Sequence, residues 1–110
     1  MDFRVNARSK KPVDYTVYLT NKIEGKEGYL GYTDYNKKIV VIEDSVPAKK
    51  MIETASHEFM HVWLEENGYN QDKLFSVEEL CDIVAKSTFF VHELTIDFIN
   101  SYWNYKKVLT

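Results

Sequence analysis

The pattern of residues changes once along this chain of 110 residues, near residue 45, and that change limits the fold more than any other feature. Before it, β-branched and aromatic residues are frequent, which is typical of strands. After it the chain has helical character, and neither glycine nor proline occurs from Ser76 to Thr110. Strands followed by helices predict an α+β fold, and the length predicts a single domain over residues 1–110.

Three strands are predicted in the first half. Residues 13–20 alternate and are rich in strand formers. Residues 28–34 and 38–43 flank a short turn in which Asn36 tolerates positive φ, so they are expected to form a hairpin. The run at 39–42 is apolar on both faces, which favours a strand that is covered on both sides. We therefore expect a small antiparallel sheet of about three strands, followed by two main helices.

Both helices carry start or stop signals. The first is expected to begin near residues 45–47, because Ser45 can cap a helix and Pro47 suits a first turn. It should end at Gly68, since glycine adopts the left-handed conformation that closes helices. The second should begin at Ser76, which forms a capping box with Glu79. It is predicted to run to about residue 103 or to break once.

Charge narrows the class of partner. The net charge is −3 and the sequence pI is about 5.6, whereas nucleic-acid binders usually carry a basic surplus. We therefore expect no nucleic-acid partner. One basic cluster lies at the N-terminus and is interpreted as a solvated terminal segment: Arg4, Arg8, Lys10 and Lys11.

Three absences in the sequence favour a cytoplasmic location. The single cysteine, Cys81, cannot form an internal disulfide. The N-terminus lacks the apolar core of a signal peptide. No apolar run approaches the roughly 20 residues that span a bilayer, so we expect no membrane partner.

A possible metal site lies within the first predicted helix. His57 and His61 are four residues apart, so their imidazoles project from one face of the helix, one turn apart. Two imidazoles at this spacing can occupy two corners of a tetrahedron around Zn²⁺. Glu58 lies beside that face, where it can act as a general base. The alternative is that His57 and His61 are ordinary histidines on a core helix.

A third ligand has to come from elsewhere, because catalytic zinc sites usually have three protein ligands. Glu65 lies too far along the helix axis to share a metal with both histidines. The second helix is therefore expected to supply a carboxylate. If the capping box engages Glu79, Glu78 is the free candidate, and Glu79 remains the alternative. Asp82 follows Glu78 by one turn and can support a metal-bound histidine from behind.

The two segments together resemble a known pattern. His57-Glu58-x-x-His61 followed by Glu78-x-x-x-Asp82 resembles the gluzincin signature, and the layout of residues 13–95 is similar to compact ImmA/IrrE-type metallopeptidases of phages and mobile elements. The resemblance implies a minimal zincin-like domain with Zn²⁺ held by His57, His61 and Glu78. It also implies Glu58 as the base and Asp82 as the support of the first histidine. Only 16 residues separate His61 from Glu78, which is a short link.

The expected function follows from that resemblance. It implies a zinc-dependent endopeptidase that hydrolyses a peptide bond in a protein substrate, such as a regulator or repressor. The alternative is a zincin-like binding module that holds a partner protein and keeps its metal for structure alone. An extended substrate is expected to add to an edge strand of the small sheet through main-chain hydrogen bonds.

Overall fold

The computed structural model describes residues 2–6, 14–25 and 28–109, with side chains over 14–25 and 28–104. The elements in order are β1 (Asp2–Asn6), β2 (Asp14–Thr20), β3 (Gly31–Asp34), β4 (Ile39–Glu43), α1 (Ala48–Glu66) and α2 (Val77–Leu109). The predicted α+β arrangement of a sheet followed by two helices is confirmed. β1 lies before the first predicted strand and was not expected. Three of the N-terminal basic residues lie outside the described part: Arg8, Lys10 and Lys11.

The four strands form one mixed sheet in the order β1-β2-β4-β3. The pairs β1–β2 and β3–β4 are antiparallel, as expected, but β2 and β4 are parallel, so a purely antiparallel sheet was the wrong prediction. Parallel neighbours need a long connection. The segment between β2 and β4 supplies it, and this segment contains β3, which lies at the edge of the sheet. The apolar β4 returns into the centre of the sheet, where Val40, Val41 and Ile42 are all buried.

The turn between β3 and β4 differs from the prediction in one residue. Lys38, and not Asn36, takes the positive φ of 56°. The side chain of Asp34 accepts hydrogen bonds from the backbone N–H groups of Asn36 (3.0 Å) and Lys37 (2.9 Å). These bonds fix the first half of the turn, so the left-handed residue falls at its end.

The ends of α1 confirm one signal and correct another. Ser45 does not cap the helix, because its hydroxyl donates to Glu43 Oε2 at 2.9 Å, and Pro47 directly precedes the first helical residue. Gly68, at φ 78°, follows the C-terminus as predicted. Its N–H donates to the carbonyl of Glu65 at 3.2 Å, which satisfies a helix-end carbonyl.

The capping box at the start of α2 is confirmed. Ser76 Oγ accepts from the Glu79 N–H, and Glu79 Oε1 accepts from the Ser76 N–H, both at 3.1 Å. The helix then continues without a break to Leu109. Over the described residues, neither helix has an apolar stretch long enough to cross a bilayer.

The core lies where α1 packs on the sheet and α2 packs on α1. Its buried side chains come from all three parts: Tyr15, Val17, Val40 and Ile42 from the sheet; Met51, Ala55, Phe59 and Val62 from α1; Ile83, Phe90, Leu94, Phe98 and Tyr102 from α2. The α2 residues are separated by seven positions and then by four each time, so they lie along one face of the helix. The rings of Phe59 and Phe98 meet edge to face, with centroids 6.1 Å apart.

A half-buried ionic cluster ties the C-terminal end of α1 to the sheet. Glu66 Oε1 accepts from the Tyr15 hydroxyl at 2.6 Å and from Lys38 Nζ at 2.7 Å. Burial raises the pKa of Glu66, but the hydrogen bonds from Lys38 and Tyr15 outweigh it and hold that pKa below its ordinary value. The charged form of Glu66 therefore stabilises the fold.

We expect Glu66→Gln to lower the free energy of unfolding by about 1.5–3 kcal/mol at neutral pH, because it removes a charged acceptor that is only 12% exposed. Urea unfolding measures this loss. Glu53→Gln is the matched control. Its ion pair with Lys50 is exposed and spans 3.9 Å, so its expected cost is below about 0.5 kcal/mol.

The loss of unfolding free energy in Glu66→Gln should depend on pH. The pKa of Glu66 is lowered in the folded state, so its stabilisation is fully present above the ordinary value of 4.5 and disappears as the pH falls through the folded pKa. The difference between wild type and Glu66→Gln should therefore shrink as the pH falls below 4.5. A difference that grows on acidification would contradict this assignment.

Candidate metal centre

The candidate site lies where α1 crosses the edge strand β3. Gly31 permits the close approach, because a Cβ there would lie 2.7 Å from Thr54 Cγ2 and 3.3 Å from Glu58 Cγ. A side chain at position 31 would force the side chains of Thr54 and Glu58 to move. The absence of that Cβ brings the motif helix within hydrogen-bonding distance of β3.

Glu58 is buried, with 6% of its surface exposed, and its carboxylate is held by the strand. Thr33 Oγ1 donates to Glu58 Oε1 at 2.8 Å. The other oxygen, Oε2, lies 4.0 Å from His57 Nε2. One carboxylate oxygen is therefore fixed by β3, while the second lies beside His57.

The two motif histidines face each other through their Nε2 atoms, which are 3.2 Å apart. The ring centroids of His57 and His61 are separated by 4.8 Å, and the rings are inclined at 73°. Two zinc–nitrogen bonds of 2.0–2.1 Å at a tetrahedral angle place their nitrogens about 3.3 Å apart. The observed spacing fits two ligands of one zinc ion. The His57 side chain is 69% exposed, so the pair is open to solvent.

The other ring nitrogen of His61 has a partner that the sequence analysis missed. His61 Nδ1 lies 2.6 Å from Oε1 of Gln71, a residue of the loop between the helices. The Gln71 amide nitrogen donates to the Tyr35 hydroxyl at 2.9 Å. Burial raises the pKa of Tyr35, although its hydrogen bond with Gln71 acts in the opposite direction. No spacing rule in the sequence links Gln71 or Tyr35 to the motif.

The residues expected from the second helix lie at its exposed start. Glu78 is exposed in the first turn of α2, and Asp82 pairs with Lys86 Nζ at 2.9 Å. Among the described residues, no group of three or more His, Cys, Asp and Glu side chains is placed to hold a metal ion. Glu78 as third ligand and Asp82 as supporting residue stay predictions.

Glu79, the alternative third ligand, has other partners. Besides its place in the capping box, its Oε2 accepts from Lys73 Nζ at 2.8 Å. The hydrogen bond from Lys73, together with those at Ser76, lowers the pKa of Glu79. These contacts support the earlier argument that the capping box engages Glu79 and leaves Glu78 free.

Two clefts open between β3 and α1 beside the motif. The larger, of about 400 Å³, reaches from Lys50 to His57, and the smaller, of about 240 Å³, adjoins both histidines. Tyr29 lines both clefts, and Tyr32 lines the smaller one. Since β3 is the last strand in the sheet order, it is the edge strand at which the clefts lie.

A third, more apolar groove of about 600 Å³ lies on the opposite side of His57, between α1 and α2. Met60, Val84 and Val91 contribute to its lining. His57 therefore stands at the junction of the polar clefts and the apolar groove. His92 lines this groove, which places it on the side of α1 away from β3.

Comparison with protein-family models, with curated proteins and with solved structures finds no match.

Proposed function

We propose that this protein is a zinc-dependent metallopeptidase that hydrolyses a peptide bond in a protein substrate. The observation that carries the proposal is the pair of Nε2 atoms of His57 and His61, 3.2 Å apart, beside the buried carboxylate of Glu58. A hydrogen bond between the rings alone would also give this distance, and the buried carboxylate of Glu58 beside the pair favours a metal site. The resemblance to gluzincins in the order of motifs supports the same reading.

The proposed roles follow from the donor atoms. His57 and His61 would hold the metal through Nε2, with Glu78 proposed as the third ligand. Bound zinc supplies a Lewis acid that makes a water more acidic. Glu58 accepts a proton from the attacking water at Oε2, the oxygen that lies beside His57. Thr33 keeps Oε1 occupied, so the carboxylate presents the same oxygen at each turnover.

The edge strand supports a polypeptide as the substrate. An extended chain can add to an open sheet edge through main-chain hydrogen bonds. The described edge beside the motif is β3, and both clefts follow it past His57 and Glu58. A segment bound there would place a peptide bond near the base. A regulatory protein with an exposed extended segment is the proposed substrate.

A cytoplasmic location and a protein partner belong to the proposed function. Cys81 is a free and exposed thiol, which suits the reducing cytoplasm. The acidic net charge of −3 favours a protein partner over nucleic acid.

The second candidate is a zincin-like binding module that holds a partner protein and keeps a metal for structure, since a chain of 110 residues has little length to spare for the walls of a cleft. It predicts zinc binding without hydrolysis.

The test is zinc-dependent appearance of new N-termini in a protein mixture. We expect the zinc-loaded chain to produce new N-termini in a mixture of denatured proteins, and a zinc chelator to abolish them. Terminal labelling and mass spectrometry detect the new termini. Re-addition of zinc should restore them. A zinc-loaded chain that yields no new termini would contradict the peptidase proposal and favour the binding module.

A further inference from the structure

The loop between the two helices places an amide behind His61. Gln71 Oε1 lies 2.6 Å from His61 Nδ1, on the side of the ring opposite to His57. We infer that Gln71 is a positioning residue that holds the His61 proton on Nδ1 and leaves the Nε2 lone pair free for a metal.

The direction of this hydrogen bond follows from the other partners of the amide. The Gln71 nitrogen lies 2.9 Å from the Tyr35 hydroxyl and 3.4 Å from Glu65 Oε2. A carboxylate only accepts, so the NH₂ end of the amide must face Glu65. The oxygen end then faces His61, and an amide oxygen also only accepts. His61 Nδ1 must therefore carry the hydrogen.

The proton position has a consequence for the other end of the ring. A neutral imidazole carries one N–H, so a proton on Nδ1 leaves Nε2 as the acceptor. In His61 that atom points at His57 Nε2, where the two nitrogens converge. In the metal-free protein, His61 therefore already has the tautomer that binds a metal through Nε2.

The arrangement also joins three separate parts of the fold. Tyr35 follows β3, Glu65 lies in the last turn of α1, and Gln71 lies in the loop before α2. Supporting residues of this kind fix both the tautomer and the ring orientation of a ligand histidine. The sequence resemblance assigned a support to the first histidine, through Asp82. The structure assigns a different one to the second histidine.

The proton position can be measured in the metal-free protein. Protonated and unprotonated imidazole nitrogens have well-separated ¹⁵N chemical shifts, and the chain has only three histidines to assign. The spectra are recorded at about pH 8, where a free imidazole in solution is neutral. We expect wild-type His61 to be protonated at Nδ1 and the Gln71→Leu variant to shift the proton toward Nε2.

Two further variants separate positioning from general packing. Gln71→Glu loses the NH₂ group that faces Glu65 but keeps an oxygen acceptor for His61, so it should retain the proton on Nδ1. Asp72→Asn changes the next residue of the same loop, whose side chain is exposed, and should leave His61 unchanged. His61 protonated at Nε2 in wild type, or at the same nitrogen in wild type and Gln71→Leu, would overturn the inference.

Zinc affinity supplies the second readout, measured by competition with a chromophoric chelator. Loss of a supporting partner typically weakens metal binding by about 10–100-fold, which is the loss expected for Gln71→Leu but not for Gln71→Glu. Equal affinities of wild type and Gln71→Leu would overturn the link to metal binding. This part rests on the proposed function, which fails separately if wild type binds no zinc.

Discussion

Glu58→Gln is expected to lower the rate of peptide-bond hydrolysis by about 10²–10⁴-fold, the usual contribution of a general base. The substitution removes the basic oxygen while it keeps an acceptor for the hydrogen bond from Thr33, which spans 2.8 Å in wild type. It therefore changes the chemistry at the cleft with little change in packing. We expect zinc content and melting temperature to stay close to those of wild type.

The measurement is kcat/KM on a peptide taken from a cleavage site found with the wild-type chain. Glu93→Gln is the matched control, because it makes the same chemical change on the exposed surface of α2. Full activity of Glu58→Gln would remove Glu58 as the base. Loss of activity together with loss of zinc would instead point to a disturbed site, and the comparison of zinc content separates these results.

The parts of the fold that the sequence predicted are those with local causes. The capping box depends only on Ser76 and Glu79, three residues apart, and it forms as expected. The meeting of His57 and His61 depends only on the 3.6-residue turn of one helix. Gly68 ends α1 because its left-handed conformation is a local property. None of these features needs a distant segment to be placed first.

The features that sequence analysis missed depend on segments that are far apart in the chain. Whether β2 pairs with β3 or with β4 depends on how the connection between β2 and β3 crosses the sheet, and the structure pairs β2 with β4. Gln71 reaches His61 only because the loop after α1 folds back along the helix. The third ligand poses the same difficulty. The angle between α1 and α2 decides whether Glu78 reaches the histidines, and no local pattern encodes that angle.

Zinc binding is the second large effect that we expect. A wild-type chain should bind one zinc ion, and saturation at about 100 times the dissociation constant should stabilise it by about 2.7 kcal/mol. For a domain of this size that corresponds to a rise in melting temperature of about 10–20 °C. His61→Ala should lose both the bound zinc and the rise, because it removes one of two converging ligands.

The same measurement decides the third ligand when it is made on Glu78→Ala and Glu79→Ala side by side. If Glu78 completes the site, its removal should weaken zinc binding, whereas removal of Glu79 should lower stability through loss of the capping box and leave zinc binding intact. Equal zinc binding by wild type and Glu78→Ala would remove Glu78 from the site. The first turn of α2 could then stay exposed, and His57 and His61 would need a ligand from another part of the chain or from a partner.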